Sequence, residues 1–373
     1  MPTRQRSTDG DLTEVIDQIP APRRQRRNGL EVPEKSTPVP KRRRRGRQIA
    51  PIVAASLSVI VGLSLLGVSL YLHSVESDVK RVNAFDDVPE AGRPKQVEAA
   101  KGSLNFLLLG SDSRDPNVGT EDQRAAAKNG ARTDTIIMLH LNKDHSKAQM
   151  ISIPRDTWVY VPKSKNGKYG NTNAKINASF AWGGAPLMVQ TVEHFTGVRI
   201  NHVALVDFAG FKEIVNALGG VEIDVPQSFT TAYALNGTRH FNKGLQTMDG
   251  AAALDYARER HAFADGDFAR IQHQQQVIMA ILNKAASGGT LSSPTKLNAF
   301  LRATADSVTI DGTLNIVDMA MELRGLRGDD LTFYTSPTKG TGMMGSESVV
   351  LADEAKVKSF YDAVRNDQPL PTP

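Results

Sequence analysis

Apolar and polar positions divide the chain into stretches of different grain. Residues 1–48 show no apolar periodicity, only Arg, Pro and polar residues, and this predicts a disordered segment. Ile49 to Leu72 then runs without a single charge, long enough to span a hydrocarbon core of about 30 Å. Pro51 falls in its first turn, where proline is tolerated. The run is too long and too far from the N-terminus for a cleavable signal, so it predicts a retained transmembrane helix over 49–72. Residues 73–101 become polar and charged, as expected of a stalk.

From Leu104 the pattern is that of alternating strands and helices. Leu104 to Leu109 is a strand that stops at Gly110, and Ile136 to Leu141 and Gln149 to Ile153 are two more. A helix opens on Pro186 and closes at Gly197. A strand (Val203 to Val206), a helix (Phe208 to Leu218, stopped by Gly219-Gly220) and a strand (Val221 to Val225) follow. Asp249 is placed to cap an Ala-rich helix, and Asp267 to cap a long one ending near Ala286. On that last helix Ile271, Ile278, Ile281 and Leu282 are expected to form a core stripe opposite Arg270 and Gln274. This alternation defines an α/β core with a central sheet over 102–290. A further section over 291–373 adds helices and a strand near Leu331 to Tyr334.

Charge separates the segments again. Residues through Gln48 hold 13 Lys and Arg against 6 Asp and Glu, leaving 32 against 34 in the rest, so the basicity belongs to the tail. A nucleic-acid-binding domain carries its basic footprint on the folded face, and this one does not. The run Lys41-Arg42-Arg43-Arg44-Arg45-Gly46-Arg47 abuts the apolar segment, which places the tail in the cytoplasm and the rest of a single-pass membrane protein outside. Cysteine is absent, which excludes disulfides, thiol nucleophiles and Cys-ligated zinc. No P-loop, dinucleotide fingerprint, zinc-spaced His pair or Gly-x-Ser-x-Gly turn is present.

What remains is a series of arginine and aspartate motifs near expected strand and helix ends. They are Gly110-Ser111-Asp112-Ser113-Arg114, Arg132-Thr133-Asp134-Thr135, Pro154-Arg155-Asp156, Arg258-Glu259-Arg260 and Asp267-Phe268-Ala269-Arg270. Guanidinium forks match phosphate oxygens, and paired carboxylates hold a hard divalent cation. Exposed ion pairs contribute only about 0–1 kcal/mol, so stability is a weak reason for such clustering. Arg258 and Arg260 share a face only if the chain has left helical geometry there.

Order and content of these motifs resemble the LytR-CpsA-Psr family of bacterial cell-wall proteins. Ser152-Ile153-Pro154-Arg155-Asp156, Lys175-Ile176-Asn177, Gly183-Gly184-Ala185-Pro186, Gly219 to Pro226, Tyr256-Ala257-Arg258-Glu259-Arg260 and Gln274-Gln275 complete the match. The resemblance implies an α/β fold whose central mixed β-sheet is flanked by helices, with an apolar tunnel for a polyprenyl tail beside the sheet. It implies a transferase that moves a glycopolymer from a polyprenyl-pyrophosphate carrier to peptidoglycan through a phosphodiester. Asp112 and Asp134 then match carboxylates that bind Mg²⁺ (or Mn²⁺). Arg132, Arg155, Arg258, Arg260, Arg270 and Gln274 match the residues that hold the pyrophosphate. With Arg155 also catalytic, Asp134 or Asp156 is the candidate base. His273 stands where the family often has another arginine. The partners implied are the lipid-linked glycan, peptidoglycan and the bilayer, with no specific nucleic acid. A pyrophosphatase with water as acceptor and a non-enzymatic membrane-bound regulator are the alternatives.

Overall fold

The strand expected at Leu104 lies in the middle of a seven-stranded sheet in the computed structural model of the chain. The structure describes residues 79–111, 133–231, 237–263, 266–287, 293–315 and 328–370, with residues 289, 319 and 326. The expected disordered tail, the apolar run 49–72 and the motif residues Asp112, Arg114 and Arg132 lie outside the described residues. Among the described residues no helix is long and apolar enough to cross a membrane.

In chain order the elements begin with β1 (Lys80–Val82), β2 (Leu104–Ser111), β3 (Thr133–Leu141), β4 (Ala148–Ser152), β5 (Trp158–Val161) and β6 (Thr172–Lys175). Helix α1 (Ile176–Thr196), β7 (His202–Asp207) and α2 (Phe208–Ala217) follow. Next come β8 (Val221–Val225), β9 (Phe229–Thr230), β10 (His240–Phe241) and β11 (Gly244–Met248). Helices α3 (Gly250–Arg258), α4 (Asp267–Ala286) and α5 (Pro294–Ser307) lead to β12 (Val308–Asp311). Strands β13 (Leu331–Thr335), β14 (Thr338–Met344) and β15 (Glu347–Ala352) precede α6 (Glu354–Arg365).

The central sheet has the order β1-β12-β7-β2-β3-β4-β13. It is mixed: β2 is parallel to β7 and antiparallel to β3, while β4 is antiparallel to β3 and parallel to β13. Both faces are covered, which is why the central strands are apolar runs rather than alternating ones. Leu107, Leu109, Ile136 and Ile151 face the core under α1 and α6. Phe106, Ala148 and Ala204 face the opposite core, with Leu108 and Leu139 packed against it.

Several expectations need correction. Residues 73–101 are not a free stalk throughout, because β1 pairs with β12 at the sheet edge and Arg93 clamps onto α1. Arg93 donates to Glu193 at 2.7–3.1 Å and to the Ile200 carbonyl at 2.5 Å. A three-residue edge strand carries too few positions to show a period. The section 291–373 supplies β12 and β13 to the same sheet. The helix expected at Pro186 begins ten residues earlier at Ile176 and breaks at Gly184 (φ 65°, ψ −157°), so Pro186 opens its second half. Gly266, not Asp267, occupies the cap position of α4.

Candidate active site

Strands β2, β4 and β7 end, and β3 begins, at one edge of the sheet. Carboxyl ends of strands are where open α/β sheets bind ligands. Asp134 lies on β3 at this rim and forms an ion pair with Arg155, which follows the end of β4. The turn carrying Arg155 is fixed from behind: the Pro154 carbonyl accepts from the Thr157 hydroxyl at 2.6 Å and N–H at 3.0 Å. Asp156 Oδ2 lies 3.6 Å from Arg155 Nε, and its other oxygen 3.5 Å from Lys175 Nζ.

The second half of the site comes from α3 and α4. Asp249 caps α3, accepting from the Ala252 N–H at 2.8 Å as expected. The helix ends at Arg258, and Glu259 is extended (φ −67°, ψ 132°). That change of geometry lets Arg258 and Arg260 line one cavity, as the spacing argument required. Glu259 is only 4% exposed, and its Oε1 accepts from the backbone N–H groups of Arg260, His261 and Ala262 at 2.9, 2.6 and 3.0 Å. The Arg258 guanidinium sits 4.5 Å above the Phe208 ring.

On α4, Arg270 (5% exposed) and Gln274 line the cavity together with Val277, Ile278, Ile281 and Leu282. These positions recur every three or four residues and share one face. The expectation that Ile278, Ile281 and Leu282 oppose Arg270 and Gln274 is therefore wrong: one face changes from polar to apolar along its length. Gln275 ties the polar end of α4 to the rim, donating to Ser152 Oγ and the Tyr334 carbonyl, each at 3.3 Å.

Between α4, α2 and the sheet lies a cavity of about 700 Å³. Leu108, Ile137, Met150, Ala204 and Val206 form its sheet wall, and Phe211 and Ile214 its α2 wall. Its polar lining includes Asp134, Arg155, Arg258, Arg260, Arg270 and Gln274. Asp156 does not line it. His273 also turns away, into an aromatic cluster with Tyr256 (ring centroids 4.3 Å), Phe263 (4.9 Å) and Phe229 (5.6 Å). Burial, with the nearby Asp224 charge adding, pushes the Tyr256 hydroxyl up to about 12, so it stays neutral and donates to Gln276 Oε1 at 2.5 Å.

Sequence reasoning missed Asp207 and Phe208. Asp207 ends β7 beside Ser111, lines the cavity, and caps α2 by accepting from the Gly210 N–H at 2.6 Å. Its signal was the acidic residue immediately before a helical pattern. Among the described residues no group of three or more His, Cys, Asp or Glu is placed to hold a metal.

Arginines from one strand end and from α3 and α4, gathered on an apolar cavity between sheet and helix, define a site for an anionic head that carries an apolar tail. The LytR_cpsA_psr family model matches residues 68–366, and the chain belongs to that family. Cell wall biosynthesis protein LcpA of Corynebacterium glutamicum is 34% identical over 303 residues, 73% of this chain and 58% of LcpA. The chain thus spans somewhat more than half of that relative. The Bacillus subtilis polyisoprenyl-teichoic acid–peptidoglycan teichoic acid transferase TagU is 32% identical over 278 residues, 73% of this chain and 82% of TagU. The crystal structure of B. subtilis TagV superposes with a TM-score of 0.58 at 25% identity, covering 72% of this chain and 99% of TagV.

Proposed function

We propose that this protein transfers a glycopolymer from a polyprenyl-pyrophosphate carrier to peptidoglycan, leaving a phosphodiester. The observation that carries the reading is the cavity, with four arginines in its polar lining and hydrocarbon walls along the sheet and α4. A pyrophosphate needs the first and a polyprenyl tail the second. The chain's relatives support the choice of donor and acceptor, since TagU and TagV are teichoic acid transferases acting between a polyisoprenyl carrier and peptidoglycan.

In this reading an acceptor hydroxyl attacks the phosphorus bonded to the glycan. The P–O–P bond breaks, polyprenyl phosphate leaves with the bridging oxygen, and the glycan stays on the new phosphodiester. Arg155, Arg258, Arg260 and Arg270 hold the pyrophosphate oxygens, and Gln274 donates beside them. Positioning and charge neutralisation do most of the work in such a displacement. The hydroxyl proton passes to Asp134 or Asp156, which single Asn substitutions separate.

Mg²⁺ (or Mn²⁺) fits this donor set, because such ions are held by one or two carboxylates with substrate phosphates and water. Asp134 at the cavity would supply one carboxylate and Asp112, next to the last residue of β2, the other. The cation would neutralise the leaving phosphate. Arg132 completes the proposed phosphate set. The apolar run 49–72 and the basic run before it support a single-pass protein with a cytoplasmic N-terminus, its substrate's lipid in the same bilayer.

The test incubates the full chain in detergent with a polyprenyl-pyrophosphoryl oligosaccharide, Mg²⁺ and peptidoglycan fragments, and seeks a phosphodiester-linked adduct by mass spectrometry. An adduct that disappears with Arg155→Ala is the expected outcome. Free polyprenyl phosphate without adduct would replace the transferase by a pyrophosphatase, and binding without turnover would replace it by a binding or regulatory protein.

A further inference from the structure

The β5–β6 hairpin leaves the site as a ribbon with two unlike faces. Val159, Val161 and Ala174 point into the core. On the other face Trp158 stands opposite Lys175, and Tyr160 opposite Asn173, in antiparallel register. Tyr160 is 37% exposed, Asn171 and Asn173 are exposed, and Trp158 and Lys175 are half-buried. The Tyr160 hydroxyl donates to Asn171 Oδ1 at 2.9 Å, and His194 of α1 flanks its ring at 5.1 Å.

This strip is continuous with the candidate site. Only Thr157 separates Trp158 from Asp156, and Lys175 Nζ lies 3.5 Å from Asp156 Oδ1. From Lys175 the face runs outward past Tyr160 to Asn171. Aromatic rings interleaved with primary amides suit one class of ligand well. A pyranose presents a C–H face that stacks on an aromatic ring and an edge of hydroxyls that pair with amides. A lipid surface would desolvate the exposed amides of Asn171 and Asn173.

We propose that this strip is the acceptor subsite. It holds the glycan strand of peptidoglycan so that a sugar hydroxyl reaches the phosphorus at the cavity mouth. The proposal rests on the transferase reading and assigns its acceptor side. Trp158, Tyr160 and Asn173 are positioning residues in it, and Lys175 joins the strip to Asp156.

The experiment measures two dissociation constants on the full chain in detergent. One probe is a lipid-free tetrasaccharide of the peptidoglycan glycan strand, the other a polyprenyl-pyrophosphoryl disaccharide. Tyr160→Ala and Asn173→Ala should each weaken the tetrasaccharide roughly five- to tenfold, the scale of one aromatic or hydrogen-bonded contact, and leave the donor constant unchanged. In turnover the loss should fall on the KM for acceptor, with kcat kept. Tyr160→Phe keeps the ring and should restore most of the affinity. Tetrasaccharide binding that is absent in the native protein, or equal in all variants, overturns the subsite, as does a parallel fall in donor affinity. A native protein that binds tetrasaccharide through Tyr160 but forms no adduct leaves the strip standing and removes the transferase instead.

Discussion

Ile278→Asp tests whether a hydrocarbon tail occupies the cavity. Ile278 lies eight residues beyond Arg270 on the same face of α4, about 12 Å deeper at 1.5 Å per residue. A five-carbon isoprene unit buried there is worth about 4 kcal/mol at 0.8 kcal/mol per buried carbon. Ile278 supplies one of several walls, so replacing its side chain forfeits about a third of that. Desolvating a carboxylate against hydrocarbon adds about 1–3 kcal/mol when some water follows the charge. The sum is about 2–4 kcal/mol, or roughly 30- to 1,000-fold in donor affinity. Titrating a fluorescent polyprenyl-pyrophosphoryl sugar into native and variant protein gives this ratio. A lipid-free pyrophosphoryl sugar, bound only by the arginines, should bind both proteins alike. Equal losses for the two ligands, or none for the lipid-linked one, would refute a tail in this cavity.

Other positions make independent predictions. Arg155→Lys keeps the charge but removes the planar guanidinium that pairs with Asp134, and turnover should fall at least tenfold in a steady-state assay. Arg93→Ala leaves Glu193, 3% exposed, without its cation and should lower stability by about 3 kcal/mol in urea unfolding. Gly210→Ala places a Cβ 2.6 Å from Ser307 Cβ and 2.7 Å from the Ser307 carbonyl oxygen, so α2 must shift, at a cost of about 1–3 kcal/mol in thermal unfolding. Asp311 is fully buried, and burial alone would raise its pKa. Hydrogen bonds from His202, Thr313 and the Val203 N–H outweigh that and hold it below its ordinary 3.8. A lowered folded-state value adds stability above pH 3.8 that is lost as pH falls through that lower value. Asp311→Asn should therefore flatten the native protein's acid-unfolding curve below about pH 4 while lowering stability at pH 7.

The legible part of the fold was the part whose strands are apolar on both faces. Leu104 to Leu109 and Ile136 to Leu141 announce themselves because burial on both sides leaves one polar position in each, Asn105 and His140, to blur the run. β1, β9 and β10 have two or three residues each, below the length at which a period exists. The β14–β15 hairpin is rich in Gly and Thr, with Met343 and Met344 exposed, and shows no apolar alternation over β14. In the site, Arg258 and Arg260 were readable because two arginines flanking one residue cannot converge from a helix, which forced the break seen at Glu259. The polarity of α4 was misread because amphipathic reasoning expects unlike residues on opposite faces. A cavity wall instead changes character along one face. His273 lies three residues from Arg270, a spacing compatible with the cavity face, and only the packing of Phe229, Tyr256 and Phe263 shows that it looks elsewhere.

The identity of the cations follows from the same geometry. Arg155 is held by Asp134 and by a turn closed on Pro154, and Arg258 by the face of Phe208. A lysine makes the first contact without the fork and the second more weakly, because its ammonium is compact and strongly hydrated. Guanidinium groups fixed before the ligand arrives lose little side-chain entropy on binding, and the apolar walls behind them lower the local dielectric and strengthen each contact to an anion. The same walls raise the cost of leaving that charge unmatched. Asp134, Asp207 and Glu259 therefore matter in the site as counter-charge, and a group that displaces Asp134 from Arg155 must return anionic oxygen. A pyrophosphate meets that condition and a sugar hydroxyl does not. On the proposed function donor recognition is thereby confined to the cavity, and the proposed acceptor strip lies outside it, where β5 begins and β6 ends.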